Sequence, residues 1–203
     1  MLSAVTYKDV MGGLSVLIAL VAYGIYGWQT ITGQVRPHPL SWLQFGVLTA
    51  TGFWVQWDQG AGAGSWVMFI SSFISFFLCL ASVVKGERHF PLHEWAFLIA
   101  GVLVFLLYLL TKQATLSAIF ATSVDVLAYG PTISRGWSQP HKDSATSFIL
   151  NSVKFIPSLF AMQSVSVATC IYPFTLILMN AAVAILLFLR KRIVLKPPIR
   201  DFD

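Results

Sequence analysis

Two ionisable residues within apolar segments are the side chains of this sequence that could do chemistry. Asp125 lies in the apolar segment 115–134 and Lys154 in the segment 145–162, each about ten residues from one end of its segment. At a helical rise of about 1.5 Å per residue, both charges fall near the middle of a helix that spans a membrane. An unpaired charge at that depth costs at least about 2.5–3.5 kcal/mol, so a functional role is the first hypothesis.

Both segments carry their polar residues on one face. Asn151 and Lys154 recur with neighbouring serines at spacings of three and four residues, and Asp125 recurs with its own polar neighbours in the same way. Such spacing places side chains along a single stripe of a helix. We therefore predict an ion pair or a proton-coupling site formed by Asp125 and Lys154. The predicted solute-binding residues are Asn151, Lys154 and Asn180, which lies at a similar depth in the segment 167–189.

Two interpretations of these charges remain open at the level of the sequence. In the first, Asp125 and Lys154 neutralise each other and fix helix packing, as buried ion pairs can do without net stabilisation. In the second, Lys154 attracts a polar or anionic solute while Asp125 holds or releases a proton, as intramembrane carboxylates do in carriers.

The elements that must position these residues are membrane-spanning helices. Of the 203 residues, 57% are hydrophobic and 10% are charged, and the mean hydropathy is +0.75. These are too few polar residues to cover a globular protein in water. We predict an all-α, multi-pass integral protein of a cell membrane, with seven helices that cross about 30 Å of hydrocarbon. The predicted spans are 12–31, 42–57, 65–84, 93–111, 115–134, 145–162 and 167–189.

The Lys and Arg residues predict the orientation of the seven spans, because cytoplasmic loops carry an excess of basic residues. If the C-terminus is cytoplasmic, the outer segments contain only Lys8 and Lys112. The N-terminus is then predicted to lie outside. The basic residues of the inner segments are Arg36, Lys85, Arg88, Arg135, Lys142, Arg190, Lys191, Arg192, Lys196 and Arg200. The last five form a C-terminal cluster that could contact anionic lipid.

The chain matches itself at an offset of 103 residues. The identical pairs are Val21 with Val124, Tyr26 with Tyr129, Gly27 with Gly130, Gly33 with Gly136, Pro37 with Pro140, His38 with His141, Ser41 with Ser144 and Phe45 with Phe148. This offset indicates a duplication in which spans one to three correspond to spans five to seven. We predict two parallel three-helix bundles, 1–90 and 113–203, joined by a linker helix within 91–112.

The sequence Tyr-Gly-Pro-Thr at 129–132, followed by the Pro140 loop and a new helix, resembles the motif of the PQ-loop and SWEET transporter superfamily. The predicted layout of three, one and three helices with an outside N-terminus resembles that superfamily too. Thr132 stands where the family has Gln, and Trp28-Gln29 replaces Pro-Gln in the first repeat.

The resemblance implies a small-solute transporter or facilitator with a central site between the two bundles. Hinge residues are then expected at Gly130, Pro131 and Thr132. The family uses an Asn on the third helix of each bundle and aromatic residues on the second, which implies roles for Asn180 and Trp54 in binding the solute.

A different class of function stays open, in which the chain is a non-transporting membrane subunit or scaffold that packs against partner membrane proteins. The linker helix and an aromatic face of the third span would then supply the contact. The candidate partners are a small polar or anionic solute, the lipid bilayer, a second copy of the chain or another membrane protein. No catalytic set, metal site, cofactor or nucleic-acid surface is predicted, and the chain is not expected to be an enzyme.

Overall fold

The fold consists of α-helices throughout the part of the chain that the structure, a computed structural model, describes: residues 5–34, 39–85 and 92–194. A 3₁₀ turn, Gly62–Ser65, precedes α3, and a second, Pro140–Lys142, precedes α6. The helices are α1 (Tyr7–Ile31), α2 (Pro39–Asp58), α3 (Trp66–Lys85), α4 (Leu92–Thr111), α5 (Ala114–Ser138), α6 (Ala145–Val153), α7 (Phe155–Ala161) and α8 (Val167–Ile193).

Among the described residues, five helical segments are long and apolar enough to cross a membrane. They comprise α1, α5 and α8 in full, most of α4, and most of α3 with the 3₁₀ turn that precedes it. The helix α2 has 20 residues, about the 30 Å needed to span hydrocarbon, but it carries polar residues on its buried face. These are Gln44, Thr49, Thr51 and Gln56. Large apolar side chains, such as those of Phe73 and Leu110, instead point outward and are 66% and 84% exposed. This distribution suits a chain whose surroundings are lipid rather than water.

The sixth predicted span is not one continuous helix. It divides at Lys154 into α6 and α7, because Pro157 has no N–H to donate to the carbonyl of Val153. The Ser15 hydroxyl of α1 donates to the carbonyl of Lys154 at this break. A second departure from prediction concerns α5, which continues as a helix to Ser138, whereas the predicted span ended at 134.

Each half of the chain has the same pattern of helix contacts. In the first half α3 packs against both α1 and α2, and in the second half α8 packs against α5 and against α6 and α7. Between the halves, α1 packs against α6 and α7, and α2 packs against α5. The helix α4 packs against α2 and α5. Apart from the contacts of α4, the same helix pairs are therefore in contact when the two halves are exchanged.

One end of the bundle, here called the closed end, is sealed by the 3₁₀ turn Gly62–Ser65. The Ser158 hydroxyl of α7 donates to the carbonyl of Gly64 at 2.8 Å, and the N–H of Gln163 donates to the carbonyl of Ala61 at 3.0 Å. The Lys8 ammonium donates to the carbonyl of Met162 at 2.9 Å. These bonds join the first half of the chain to the second.

The helix α8 is held to α2 at a proline. Pro173 lies inside α8 and cannot donate to the carbonyl of Thr169, four residues earlier. The buried amide of Gln56 donates to that carbonyl at 2.9 Å. A side chain of the first half thus satisfies a backbone group that the second half leaves free.

At the opposite end, here called the open end, basic side chains of α8 hold the connection between α5 and α6. Arg190 donates through Nε to the carbonyl of Trp137 at 2.9 Å and stacks on the Trp137 ring at 4.3 Å. The Lys191 ammonium donates to the carbonyl of Asp143 at 2.7 Å. Part of the predicted lipid-binding cluster is therefore used in packing, while Lys196 and Arg200 lie outside the described residues.

Candidate solute site

A cavity of about 590 Å³ lies between the two halves of the chain. It begins at the open end, where Gln34, Arg135, His141 and Asp143 line it, and it reaches Lys154 in the interior. Its volume is in the range of sites for small molecules. The other lining residues include Tyr23, Tyr26, Ser41, Trp42, Phe45, Ser75, Tyr129, Thr132, Ser144, Phe148, Asn151, Phe155, Tyr172 and Asn180.

The internal repeat recurs in the lining of this cavity. Three of the identical pairs at offset 103 contribute both of their members. They are Tyr26 with Tyr129, Ser41 with Ser144, and Phe45 with Phe148. The cavity is thus bordered by matching residues from the two halves.

Lys154 is a buried cation at the inner limit of the cavity. Its side chain is 2% exposed, and its ammonium donates to the Tyr23 hydroxyl at 3.0 Å and to the Ser71 hydroxyl at 3.1 Å. The ammonium also lies 4.3 Å from the centre of the Tyr23 ring and 4.9 Å from that of Phe155. Hydroxyls and aromatic faces from three helices therefore solvate this charge.

Asp125 is buried in α5 away from hydrogen-bond donors. It is 1% exposed, and neither carboxylate oxygen has a hydrogen-bond partner among the described residues. Tyr129 follows it one helical turn later in α5, and the Tyr172 hydroxyl also lacks a hydrogen-bond partner within the same described part of the chain. Tyr172 lines the cavity, whereas Asp125 is not among its lining residues.

The direct ion pair expected between Asp125 and Lys154 is not formed. Within the described residues no carboxylate oxygen lies within 4 Å of the Lys154 ammonium, and the partners of this ammonium are hydroxyls of Tyr23 and Ser71. The expectation matched the two residues by depth and assumed a continuous helix through Lys154. Lys154 lines the cavity together with Asn151 of the predicted stripe, but its ammonium is bound by residues of α1 and α3 and not by α5.

The structure brings the remaining predicted solute-binding residues of the second half to the cavity. Asn151 and Asn180 both line it. The Asn180 carboxamide donates to the carbonyl of Leu176 at 2.8 Å and lies beside Tyr129. Ser75 of α3 lines the same cavity.

Trp54 does not line the cavity. Its side chain is 44% exposed on the outer surface of α2, and its ring packs on that of Phe53 with the ring centres 5.5 Å apart. Of the expected hinge residues, Thr132 lines the cavity. Gly130 and Pro131 lie within α5, which continues past them without interruption.

Several residues of the site were not expected from the sequence. Tyr23 and Ser71, the partners of Lys154, belong to α1 and α3, and no spacing rule connects them with α6. Trp42 lines the cavity between Tyr26 and Phe45. Its neighbours Tyr26 and Phe45 could have been found from the sequence, because the offset of 103 pairs them with Tyr129 and Phe148.

Over residues 5–34, 39–85 and 92–194, the fold and the site define a helical protein with five helices that are long and apolar enough to span a membrane. An internal cavity is lined by polar and aromatic side chains. Comparison with protein-family models, with curated proteins and with solved structures finds no match to this chain.

Proposed function

We propose that this protein is a small-solute membrane transporter or facilitator whose solute occupies the cavity between the two halves. The observation that carries the proposal is the cavity itself, which reaches Asn151, Lys154 and Asn180 from one end of the bundle. Tight packing around these three side chains would instead have favoured a structural role for them.

The closed end of the bundle supports transport of a solute by alternating access. No residue of the turn Gly62–Ser65 is among the lining residues, and the turn is bound to α7, so we take the cavity to open at the opposite end of the bundle. A solute pathway that is open on one side and sealed on the other is what alternating access requires.

We further propose seven spans with the N-terminus outside and the C-terminus in the cytoplasm. The α2 helix and the broken α6–α7 segment would be the two less apolar spans, because both turn polar residues toward the cavity. In this orientation the open end faces the cytoplasm. The contacts that survive exchange of the two halves, together with the resemblance in layout, support parallel bundles of the PQ-loop and SWEET type.

Osmotic shrinkage and re-swelling of proteoliposomes tests transport even while the identity of the solute is open. Purified protein is reconstituted, and vesicles are mixed with a panel of small neutral, anionic and cationic solutes while light scattering is followed. We expect re-swelling with at least one solute to be faster than in empty liposomes. The variants Lys154→Ala and Asp125→Asn should slow it, whereas Lys112→Ala, at an exposed position, should not.

Correct folding of each variant is checked by its elution profile and melting temperature. If no solute enters faster than into empty liposomes, the function as a non-transporting membrane subunit is favoured. If flux is present and unchanged in both variants, the two charges have no part in the mechanism.

A further inference from the structure

We infer that the solute is a small organic anion with a planar apolar body. Its anionic group would bind at Lys154, and its body would lie against the aromatic side chains between Lys154 and the open end. This inference rests on the proposed function only in taking the cavity as the solute site.

The charge of Lys154 has no counter-ion among the described residues. An ammonium has three N–H donors, and described residues accept two of them, the hydroxyls of Tyr23 and Ser71. These hydroxyls are neutral, and within the described part of the chain no carboxylate lies within 4 Å. A buried charge without a counter-ion is costly. An anion in the cavity would supply the missing charge.

The groups beside Lys154 also suit an anionic oxygen. The Tyr23 oxygen accepts the ammonium proton, its hydroxyl also lies within hydrogen-bonding reach of Ser71 and Ser75, and Tyr23 lines the cavity. A carboxylate accepts several hydrogen bonds, so it can accept the remaining ammonium N–H. Charge-assisted hydrogen bonds of this kind are about twice as strong as neutral ones.

The acidic residues of the cavity lie elsewhere. Asp143 and Glu94 line the cavity near the ends of helices at its mouth, and Asp143 lies 4.0 Å from the Arg135 guanidinium. Asp125 is not among the lining residues. The inner part of the cavity therefore presents positive charge, which disfavours a cationic solute there.

Aromatic side chains form part of the cavity wall near Lys154. The Trp42 ring lies 4.9 Å from that of Tyr26 in an edge-to-face arrangement and 6.0 Å from that of Phe45. The Trp42 ring also lies 6.2 Å from that of Tyr23, the partner of Lys154. An aromatic surface thus begins next to the ammonium and continues toward the open end. Such a surface binds planar apolar groups through stacking and burial.

Equilibrium binding of three probes that share one ring tests the inference. Benzoate is an anion, benzamide is neutral and benzylammonium is a cation, and calorimetry on the purified full-length protein measures the affinity of each. We expect benzoate to bind at least about tenfold more tightly than the other two. In Lys154→Met this preference should disappear, and in Lys154→Gln it should fall. Lys112→Met removes an exposed charge and should leave the preference intact.

The aromatic surface is tested with Trp42→Leu and with acetate. We expect the substitution to weaken benzoate binding several-fold and to leave the response to acetate unchanged, since acetate has no ring. Trp66→Leu, at a partly exposed position outside the cavity, is the matched control. Equal loss in both tryptophan variants would refute the placement of the ring.

The inference is overturned if benzoate does not bind, if benzamide or benzylammonium binds as tightly, or if the preference for benzoate persists in both Lys154 variants. These outcomes are distinct from failure of the proposed function. Benzoate binding without flux would refute transport and keep the ligand class. Flux of neutral solutes without benzoate binding would refute the ligand class and keep transport.

Discussion

The contact between α1 and the 3₁₀ turn at the closed end allows a sharp test, because two adjacent glycines of α1 differ in their surroundings. A Cβ added at Gly12 would lie 2.7 Å from the carbonyl oxygen of Ala63 and 2.8 Å from its Cβ. A Cβ added at Gly13 would have no neighbour within 4 Å. We therefore expect Gly12→Ala to destabilise the protein relative to Gly13→Ala.

The magnitude follows from two terms. Replacing glycine by alanine inside a helix stabilises the helix by about 0.5–1 kcal/mol, and this term is common to both variants. At Gly12 the new methyl group meets backbone, which cannot rotate away as a side-chain end can. Overpacking of this kind costs about 1–3 kcal/mol. The free energy of unfolding should thus differ between the two variants by about 1–3 kcal/mol, with Gly12→Ala the less stable.

Thermal unfolding of both variants in the same detergent measures this difference. For a chain of about this length, 1 kcal/mol corresponds to about 2–4 °C in melting temperature. We expect Gly13→Ala to melt at or slightly above the wild type and Gly12→Ala to melt about 2–12 °C below Gly13→Ala. Equal melting temperatures would show that α1 does not approach the turn as closely as described, and the seal would have to be placed elsewhere.

Two further predictions concern polar groups in the interior. Gln56→Met should lower the free energy of unfolding by about 1–3 kcal/mol, because the carbonyl that Pro173 leaves free in α8 then lacks its donor, whereas Gln59→Met at an exposed position should change it little. In a double-mutant cycle of Asp125→Asn and Lys154→Met, the coupling in the free energy of unfolding should stay below the about 3 kcal/mol of a direct buried ion pair, because no carboxylate of the described residues lies within 4 Å of the Lys154 ammonium.

Each of these predictions has an opposite outcome that chemical or thermal unfolding would reveal. If the Gln56→Met protein is as stable as the Gln59→Met control, the Gln56 amide does not donate a stabilising hydrogen bond to the carbonyl of Thr169 in α8. A coupling energy of about 3 kcal/mol or more in the cycle would match the cost of breaking a buried ion pair, and Asp125 and Lys154 would then be direct partners after all.

The helices could be predicted from the sequence because long apolar runs and prolines determine them locally. The α1, α3, α4 and α8 helices contain or closely match their predicted spans. The break at Lys154 was not predicted, although the sequence contains Pro157. A proline can interrupt a helix or only bend it, depending on the residues that pack against it. Ser15 of α1 supplies such a neighbour by bonding the carbonyl at the break, and this contact is remote in sequence.

The candidate site could be predicted only in part, because depth along a helix can be counted while the direction of a side chain cannot. Counting brought Asn151, Lys154 and Asn180 to one level, and the structure places all three along the same cavity. The family resemblance implied a binding role for Trp54, yet its side chain lies on the outer surface of α2. Which face of α2 turns inward depends on its packing against α3, α4 and α5, and no local pattern encodes that.

The separation of the two buried charges has a consequence for the proposed transport. If Asp125 and Lys154 were paired, the empty cavity would be neutral and would gain nothing from an anion. With the charges apart, Lys154 would be available to an anion, and Asp125, which does not line the cavity, would bind a proton at a separate place. An anion and a proton carried together add no net charge to the interior, and moving such a neutral load across a membrane requires no work against the membrane potential. Separate sites for the two charges are therefore what an electroneutral carrier of a monoanion would need.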